Sequence, residues 1–443
     1  MRARTALLLC LCPFAACSKD AASTDAGASG ADTTEVTSSS TDGGPDRTPL
    51  AATAADMNSQ SGRDPDGGAF ADAGGGARMD SDGGTVRAPM PLQGYGTTST
   101  FGHGGDVCVV MNLDDQGPGS LRDCVANRDG PAADPTPRLL TFQVGGSIVL
   151  TAGISVRQPH LTIDGLSAPS PGITIAKTGI PGGIVVNTWP GMNTCGHDVL
   201  LQGLRFQGVW TEDTEDHSQA AGVLGMDGED LPDCLHNVVF HRLTVINAQD
   251  GGGDIWGSVT DATVQYSAFL RSLHPNTYSH HELQARERIS NHHNLYAYTH
   301  ERNPQIRGDV RDSNFEQNIL HRWAAYGFGG GYGMRVRCRN GVCPSGINVI
   351  RNHFTSAGDN LDAAFLIPEP ETVPNVHMAG NRLPPGNAAG TAAEFARPTH
   401  AEVTLFDNAA LMDTVLPSIG APHRTPEEVA IFEEVANQLS HEL

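Results

Sequence analysis

Three short polar clusters in the sequence contain residue types that bind ions or move protons. The first is the run 250–254 (DGGGD), in which Asp250 and Asp254 flank three glycines shortly after the apolar segment 244–246. Paired carboxylates on a glycine-rich bend suit a hard cation such as Ca²⁺, which takes several oxygen ligands in a flexible shell. A solvent-exposed acidic turn has the same composition, so this run alone leaves both interpretations open.

The second cluster is the run 300–308 (HERNPQIRG), which contains two arginines five residues apart. Pro304, between Arg302 and Arg307, removes a backbone donor and stiffens the segment. Arginine recognises carboxylates through planar, bidentate hydrogen bonds. The cluster therefore suits an acidic ligand, although surface ion pairing would use the same residues.

The third cluster is rich in histidine and comprises the runs 274–276 (HPN), 280–281 (HH) and 290–294 (SNHHN). The spacing does not match a common metal-binding pattern, which favours structural roles for most of these rings. The sequence also lacks a CxxC pair, so we expect no zinc site.

The charge balance limits the classes of partner. The 443 residues include 28 Lys+Arg and 50 Asp+Glu, which gives a formal net charge of −22. Such a chain offers no general basic surface for phosphates, so we expect no nucleic-acid binding and little attraction to an anionic membrane. It also lacks an apolar run of about 20 residues, so no spanning helix is expected.

The first 91 residues are predicted to comprise an export signal followed by a tether. Residues 1–17 combine basic residues, the apolar run 6–11 and the box 14–17 (FAAC), which is typical of a lipoprotein signal with Cys17 as the lipidated residue. An ordinary cleaved secretion signal is the alternative. Residues 18–91 are rich in Asp, Ser, Thr, Gly and Ala, which indicates a disordered tether. We expect an exported monomer that is either secreted or a cell-surface or outer-membrane lipoprotein, attached to a membrane only through its lipid.

An even number of cysteines remains after the signal peptide. Six of the nine cysteines lie in the mature chain, and an even count in an exported protein indicates disulfides. Proximity along the chain favours three pairs out of the fifteen pairings that six cysteines allow. The favoured pairs are Cys108–Cys124, Cys195–Cys234 and Cys338–Cys343.

The elements that must position these clusters are short strands. Short β-rich runs such as 237–240, 262–264 and 288–290 recur about every 25 residues, bounded by Gly, Asn, Asp and Pro. A loose repeat of short strands without intervening helices is typical of a stacked solenoid. The sequence therefore predicts an all-β, parallel β-helix domain over residues 92–443, with a β-sandwich as the alternative.

Two further patterns support this architecture. Four asparagines recur at bends between strand pairs and are predicted to form a hydrogen-bonded ladder: Asn294, Asn318, Asn352 and Asn381. A short C-terminal α-helix is predicted to begin at Thr425, with Pro426 at its first position and Glu428 completing a capping box. Its predicted apolar face contains Val429, Phe432, Val435 and Leu439.

The sequence also resembles a known family. The run 289–296 (ISNHHNLY), followed by 301–304 (ERNP) and 307–308 (RG), resembles the pectate lyases of polysaccharide lyase family one. Four upstream runs also resemble that family, namely 117–122 (GPGSLR), 163–165 (IDG), 254–257 (DIWG) and 262–266 (ATVQY). The resemblance extends from about residue 100 to about residue 385, and the order and spacing of the motifs make it specific.

The resemblance implies a right-handed parallel β-helix that cleaves polygalacturonate, or pectate, by Ca²⁺-assisted β-elimination. Arg302 matches the base that takes the C5 proton of the uronate, and Arg307 matches a residue that binds the substrate carboxylate. His274 falls where the family has a substrate-binding Lys, and a neutral imidazole would bind a carboxylate less strongly. The base implies activity that rises toward alkaline pH, because an ordinary guanidinium stays protonated.

The calcium ligands implied by the resemblance are acidic residues. Asp250 and Asp254 match two of them, although the first is usually Glu in the family. Asp227 is the nearest candidate for a third acid on the preceding coil. Its competitors are Asp213, Asp216 and Asp230.

Two other functions are compatible with the sequence. A β-helix glycoside hydrolase would use Asp250 and Asp254 as its catalytic carboxylates. A surface β-helix without catalysis would bind polysaccharide only. A lyase that acts on methyl-esterified pectin would be a variant of the pectate lyase, but it would not need the acids of a calcium site.

Overall fold

A computed structural model describes most of the chain beyond residue 90. The described residues are 78–79, 85–86, 90–126, 128–131, 133–177, 183–208, 224–228, 231, 233–248, 252–272, 282–283, 287–323, 331–356, 364–366, 375–383 and 393–443. The chain divides into two compact units, 1–73 and 74–443, and the described residues all belong to the second. The predicted signal with Cys17 lies outside the described residues, as does the predicted tether up to residue 77.

Within the described residues, short strands assemble into three long sheets. Sheet 1 has ten strands: Asp106–Val110, Arg138–Phe142, Leu161–Asp164, Val199–Gln202, His236–His241, Thr260–Gln265, Glu287–His292, Arg311–Glu316, Ser345–Ile350 and Val376–Ala379. Sheet 2 has eight strands: Gly146–Leu150, Ile173–Lys177, Leu204–Gln207, Thr244–Ile246, Ala268–Leu270, Leu295–Ala297, Ile319–His321 and His353–Ser356. Sheet 3 has nine strands: Ile154–Val156, Ile184–Trp189, Thr194–Cys195, Leu224–Gly228, Asp254–Gly257, Glu282–Leu283, Gln305–Arg307, Met334–Arg337 and Phe365–Leu366.

The chain visits sheets 3, 1 and 2 in turn, and each strand pairs in parallel with the equivalent strand of the next coil. Sheet 1 illustrates the register, because Leu201 pairs with Phe240 and Phe240 pairs with Val264. One antiparallel pair, Ile184–Trp189 with Thr194–Cys195, interrupts the pattern in sheet 3. This topology is a parallel β-helix, as the strand repeat predicts, and it excludes the β-sandwich.

The corner that precedes sheet 1 is built from one left-handed residue per coil. These residues occupy equivalent positions in successive coils, just before the paired strand residues, and their φ values lie between 50° and 58°. They are His160, Asp198, Asn237, Asp261, Arg288 and Asp312. Asn, Asp and His tolerate this region better than most residues, because their short polar groups bond locally. The corner therefore stacks polar side chains about 4.8 Å apart from coil to coil.

The predicted asparagine ladder is confirmed at the bend between sheets 1 and 2. The Asn294 backbone N–H donates to Asn318 Oδ1 at 3.0 Å, and the Asn318 N–H donates to Asn352 Oδ1 at 2.9 Å. The Asn352 N–H in turn donates to Asn381 Oδ1 at 2.9 Å. Each step satisfies a backbone donor that the bend turns away from the sheets.

The interior contains stacked columns of apolar side chains. In sheet 2, Phe206, Val245 and Phe269 occupy consecutive coils in one column, which Tyr296 and Leu320 continue. The rings of Phe269 and Tyr296 stack with centroids 5.1 Å apart. Such columns bury the apolar surface that stabilises a stack of short strands.

Several short helices and one long helix accompany the sheets. The short ones are the α-helices Leu121–Ala126, Asn408–Ala410 and Leu416–Ser418, the π-helix Leu411–Val415, and the 3₁₀ turns Gly165–Ser167, Pro190–Met192 and Thr399–Ala401. The long helix is Pro426–Glu442. Among the described residues, no helix has the length and apolar character needed to cross a membrane.

The C-terminal helix packs on the outer face of sheet 2, where Phe432, Val435 and Leu439 are buried in an apolar cluster. The predicted capping box between Thr425 and Glu428 is confirmed. The prediction for Val429 was wrong, because this side chain is 40% exposed. Ile431 is buried instead, since the helix is rotated so that the 428/431/435 side covers the sheet.

The three predicted disulfides are confirmed. Cys108 is bonded to Cys124, Cys195 to Cys234, and Cys338 to Cys343. A separate two-stranded antiparallel pair, Arg78–Met79 with Thr85–Val86, lies within the range predicted as tether.

Candidate active site

Sheet 3 carries the residues that the resemblance singles out. Ile255 pairs with Leu283, Leu283 with Ile306, and Ile306 with Val336. The side chains of Ile255, Ile306 and Val336 are fully buried, so this column faces the core. Because side chains alternate along a strand, the positions on either side of this column face outward.

One outward column contains an aromatic ring and two arginines. Trp256 follows Ile255, and on later strands Arg307 pairs with Arg337. The Arg307 Cζ lies 5.4 Å from the centroid of the Trp256 ring. Arg339 Cζ lies 5.9 Å from the same centroid. The Trp256 ring thus attracts the guanidinium groups of Arg307 and Arg339 through cation–π interactions.

The second outward column begins at Asp254, the first residue of its strand. On later strands Gln305 pairs with Arg335 at the equivalent position, just before the buried column. Tyr332 Oη donates to Gln305 Oε1 at 3.0 Å, and the Arg335 guanidinium lies 5.2 Å from the Tyr332 ring. This column therefore changes from acidic to basic across the sheet.

Arg302 lies three residues before Gln305, the first residue of a strand of sheet 3. Its φ is +62°, and its Nε is 3.1 Å from Glu301 Oε1. The surrounding segment is fixed by backbone bonds, since the Asn303 N–H donates to the Gly333 carbonyl at 2.9 Å and the Arg335 N–H to the Pro304 carbonyl at 3.1 Å. The side chains of Arg302 and Glu301 are only 15% and 8% exposed.

The electrostatic setting of this segment is unusual because a carboxylate is buried among cations. Burial raises the pKa of Glu301, and the charges of Arg302 and Arg335 offset only part of this rise. Burial also raises the pKa of Tyr332 to about 12, with the Glu301 carboxylate adding to the effect. The carboxylate beside Arg302 both fixes the guanidinium and favours its charged form.

The structure brings several of the predicted site residues to one sheet. Asp254 and Arg307 lie on the outward side of sheet 3, and their strands are two spacings, or about 10 Å, apart. Arg302 lies in the segment just before the strand of Arg307. Asp227 lies on the preceding strand, where its backbone pairs with Trp256. The residue paired with Asp254 is Gly225, so Asp227 is two positions further along.

Other predicted residues lie outside the described part of the chain. Asp250 and His274 are among them, as are the competing acids Asp213, Asp216 and Asp230. Their roles stay predictions.

The basic residues of the next strand were not predicted from the sequence. Arg335 and Arg337 flank the buried Val336 on the strand Met334–Arg337, and Arg339 continues the alternation beyond Cys338 in an otherwise acidic chain. That alternation was the available signal. The backbone N–H groups of Arg339 and Val342 donate to each other's carbonyls at 2.8 and 2.9 Å, inside the turn that the Cys338–Cys343 disulfide closes.

Comparison with known proteins gives relatives in sequence. A protein of Aspergillus flavus named probable pectate lyase C is 30% identical over 273 residues, which are 62% of this chain and 55% of that protein. The protein of the same name from Emericella nidulans is 30% identical over 240 residues, or 54% of this chain and 48% of that protein. The chain thus spans about half the length of the curated relatives it matches. No protein-family model matches the chain.

Among solved structures, that of jun a 1, the major allergen from cedar pollen, has a TM-score of 0.51 with 15% sequence identity and covers 74% of this chain and 92% of the allergen. This likeness concerns the fold alone. In sequence the chain therefore resembles the pectate lyases, and its fold is the right-handed parallel β-helix.

Proposed function

We propose that this chain is a pectate lyase that cleaves polygalacturonate by Ca²⁺-assisted β-elimination, with Arg302 as the base. The observation that carries this proposal is the concentration of arginines on the outward side of sheet 3, which also carries Asp254 two strands away from Arg307, in a chain with a net charge of −22. A polyanionic substrate needs such a local basic surface, because the rest of the protein repels it. The similarity to proteins named probable pectate lyase C supports the same reaction.

The arginines of the Trp256 column are suited to hold the uronate carboxylates. Arg307 pairs with Arg337 across adjacent strands, and Arg339 shares the Trp256 ring with Arg307. A guanidinium packed on an aromatic face loses less conformational freedom when it binds a carboxylate. This column would fix the sugar chain along the sheet.

Arg302 is suited to act as the base because its position is fixed. The ion pair with Glu301 and the anchored segment around Asn303 hold the guanidinium just before the strand Gln305–Arg307. A fixed group near the substrate carbon needs little reorganisation to accept a proton. In its neutral form Arg302 would take the C5 proton, the C4–O bond would break with formation of a C4=C5 double bond, and the departing oxygen would gain a proton.

The acidic residues of sheet 3 fit a calcium ion by their chemistry. Asp254 and Asp227 lie on neighbouring strands, and carboxylate oxygens are the donors that this hard cation prefers. With Asp250 they would hold the ion. When bound, Ca²⁺ would withdraw charge from the substrate carboxylate and make the neighbouring C–H more acidic.

The reaction is tested by following the ultraviolet absorbance of the unsaturated product formed from polygalacturonate. We expect absorbance that requires calcium and disappears with a chelator. Release of reducing ends without this absorbance would identify a glycoside hydrolase, and binding without any product would identify a polysaccharide-binding protein. Either outcome would refute the lyase proposal.

We also propose that the chain is exported and anchored through a lipid on Cys17. The basic and apolar run before the box 14–17 supports this proposal. Metabolic labelling with a palmitate analogue tests it, with Cys17→Ser as the variant. Equal labelling of the two chains would contradict it.

A further inference from the structure

Three potential metal ligands converge at the corner between sheets 3 and 1, on coils that precede the one holding Arg302. His160 comes from one coil, and His197 and Asp198 come from the next. One ligand atom from each residue lies within 4.8 Å of the others. Asp198 Oδ2 is 2.6 Å from His197 Nδ1 and 3.7 Å from His160 Nδ1. Each residue is partly exposed, so an ion from solvent can reach this group.

The backbone explains why these side chains meet. His160 and Asp198 directly precede Leu161 and Val199, which pair across adjacent coils. Both residues have positive φ, 58° and 52°, so the same corner geometry repeats in each coil. The His197 N–H donates to the carbonyl of Cys195 at 3.1 Å, and the disulfide of that cysteine joins the loop to the following coil.

Neighbouring groups orient the three side chains. Asn237 Nδ2 donates to Asp198 Oδ1 at 2.9 Å, on the carboxylate oxygen that does not face the histidines. The His236 ring stacks on His197 at 4.7 Å, and Asp134 Oδ1 lies 3.8 Å from His160 Nε2. Outer partners of this kind fix the orientation of metal ligands.

One positive charge lies nearby. Arg128 Nη2 donates to the backbone carbonyl of His160 at 2.9 Å, so its guanidinium would repel a metal cation bound there. The carboxylates of Asp198 and Asp134 supply two negative charges against it. The net local charge therefore favours a divalent ion once it is coordinated.

We propose that His160, His197 and Asp198 bind one divalent first-row transition-metal ion, of which zinc is the test case. The absence of a CxxC pair, from which the sequence predicts no zinc site, does not bear on a site built from histidine and aspartate. Two imidazoles and a carboxylate suit such ions, whereas calcium and magnesium prefer oxygen ligands alone. Two ligand atoms in a tetrahedral zinc site are about 3.3 Å apart. The His160–Asp198 separation of 3.7 Å is close to this value. The His197–Asp198 pair is a hydrogen bond of 2.6 Å, so zinc binding would require the ring proton to move from Nδ1 to Nε2 and the two atoms to separate by about 0.7 Å. Bound zinc would link two consecutive coils and leave one coordination position for a water molecule.

The test is a calorimetric titration of the full chain with zinc chloride, after removal of metals and in the presence of excess calcium to occupy oxygen sites. We expect one site that His160→Gln and His197→Gln each weaken at least tenfold. His377→Gln, on the distant strand Val376–Ala379, is the matched control and should bind like the unaltered chain. Zinc should also raise the melting temperature of the unaltered chain and the control, but not of the two ligand variants.

A second measurement uses the unaltered chain and so does not depend on how the variants fold. Zinc should protect His160 and His197 from diethyl pyrocarbonate, read by peptide mass spectrometry, while His377 stays reactive. Modification of His160 and His197 at the same rate with and without zinc would overturn the proposal. Equal zinc affinity in all three variants would do so as well.

Discussion

The Arg307 guanidinium lies 5.4 Å from the centre of the Trp256 ring, although the strand Glu282–Leu283 separates their two strands. The long arginine side chain therefore reaches back across a coil to the ring. Arg339 approaches the same ring to 5.9 Å, from the coil beyond Arg307. One aromatic side chain thus gathers cationic groups from two later coils on the proposed substrate surface.

Removal of this ring should weaken substrate binding more than chemistry. Trp256→Ala should lower kcat/KM on polygalacturonate by about twofold to thirtyfold, mostly through KM, because the loss of one cation–π contact to a substrate-binding guanidinium costs about 0.5–2 kcal/mol. Trp256→Phe should recover part of the loss. Trp189→Ala is the control, since the Trp189 ring also contacts an arginine, with Arg157 Cζ at 5.8 Å. Trp189 lies on a strand two positions away from that of Trp256. Initial rates from product absorbance measure the effect, and equal losses in the two alanine variants would argue against a specific role.

Replacement of the proposed base should remove turnover and spare binding. Arg302→Ala should reduce kcat by about a hundredfold to ten-thousandfold, the usual contribution of a general base. Binding of a galacturonate oligomer, measured by calorimetry, should change little, because Arg307 and Arg337 remain. Arg311→Ala is the control, since this guanidinium is 51% exposed and pairs only weakly at 3.8 Å with Asp309. Turnover near the original rate in Arg302→Ala would exclude this residue as the base.

The carboxylate beside Arg302 should set the pH dependence of the reaction. An ionised Glu301 favours the charged guanidinium, and the reaction needs the neutral form, so activity should rise toward alkaline pH. Glu301→Gln removes that opposite charge, so the neutral guanidinium should form more readily. The rising limb of the pH–rate profile should therefore move about one unit toward lower pH. A profile that moves toward higher pH, or that falls above neutrality in the unaltered protein, would contradict this assignment.

Local rules predict the corners and caps of this fold from sequence, but not its surfaces. The Thr425 cap follows from short-range chemistry, whereas the Asn294 ladder and the three disulfides follow from residue types that recur along the chain, and the structure confirms all of them. The gathering of Arg307 and Arg339 around Trp256 depends instead on which residues of distant strands pair. That register is fixed by the packing of whole coils, so no short window of sequence contains it. The exposure of Val429 likewise depends on the angle at which the C-terminal helix packs on sheet 2, which the local sequence does not determine.

Buried histidines should make the protein sensitive to acid. Burial lowers the pKa of His241 to about 3, and that of His293 and His353 to about 4. Between these values and the ordinary value near 6.5, the unfolded chain binds more protons than the folded one, so stability is complete above about pH 7 and falls as pH decreases. Buried carboxyls with raised pKa, such as Glu316, act in the opposite direction.

A variant comparison isolates the histidine contribution. His241 Nδ1 lies 2.9 Å from Gln265 Nε2, and His241→Asn keeps a hydrogen-bonding group there without a titrating ring. Urea unfolding at pH 7 and pH 5 should show a smaller loss of stability in His241→Asn than in the control His377→Asn, by about 2 kcal/mol. Identical losses in the two variants would show that His241 titrates normally.

The C-terminal helix should depend on one buried ion pair. Arg205 Nε is 2.6 Å from Glu428 Oε1, and their side chains are 4% and 1% exposed. Glu428 also completes the helix cap, since its Oε2 accepts the Thr425 N–H at 2.9 Å. Glu428→Gln leaves the Arg205 charge buried without a counter-ion, which costs about 3–5 kcal/mol.

Glu427 provides the matched control for that substitution. It is the adjacent residue of the same helical turn and pairs with Arg271, but the two side chains are 40% and 53% exposed. An exposed pair contributes at most about 1 kcal/mol. Chemical denaturation should therefore separate the variants clearly, with Glu427→Gln close to the unaltered protein and Glu428→Gln strongly destabilised. Similar midpoints for the two variants would mean that the pair between Arg205 and Glu428 does not hold the helix on sheet 2, and that the apolar contacts of Phe432 and Val435 are sufficient.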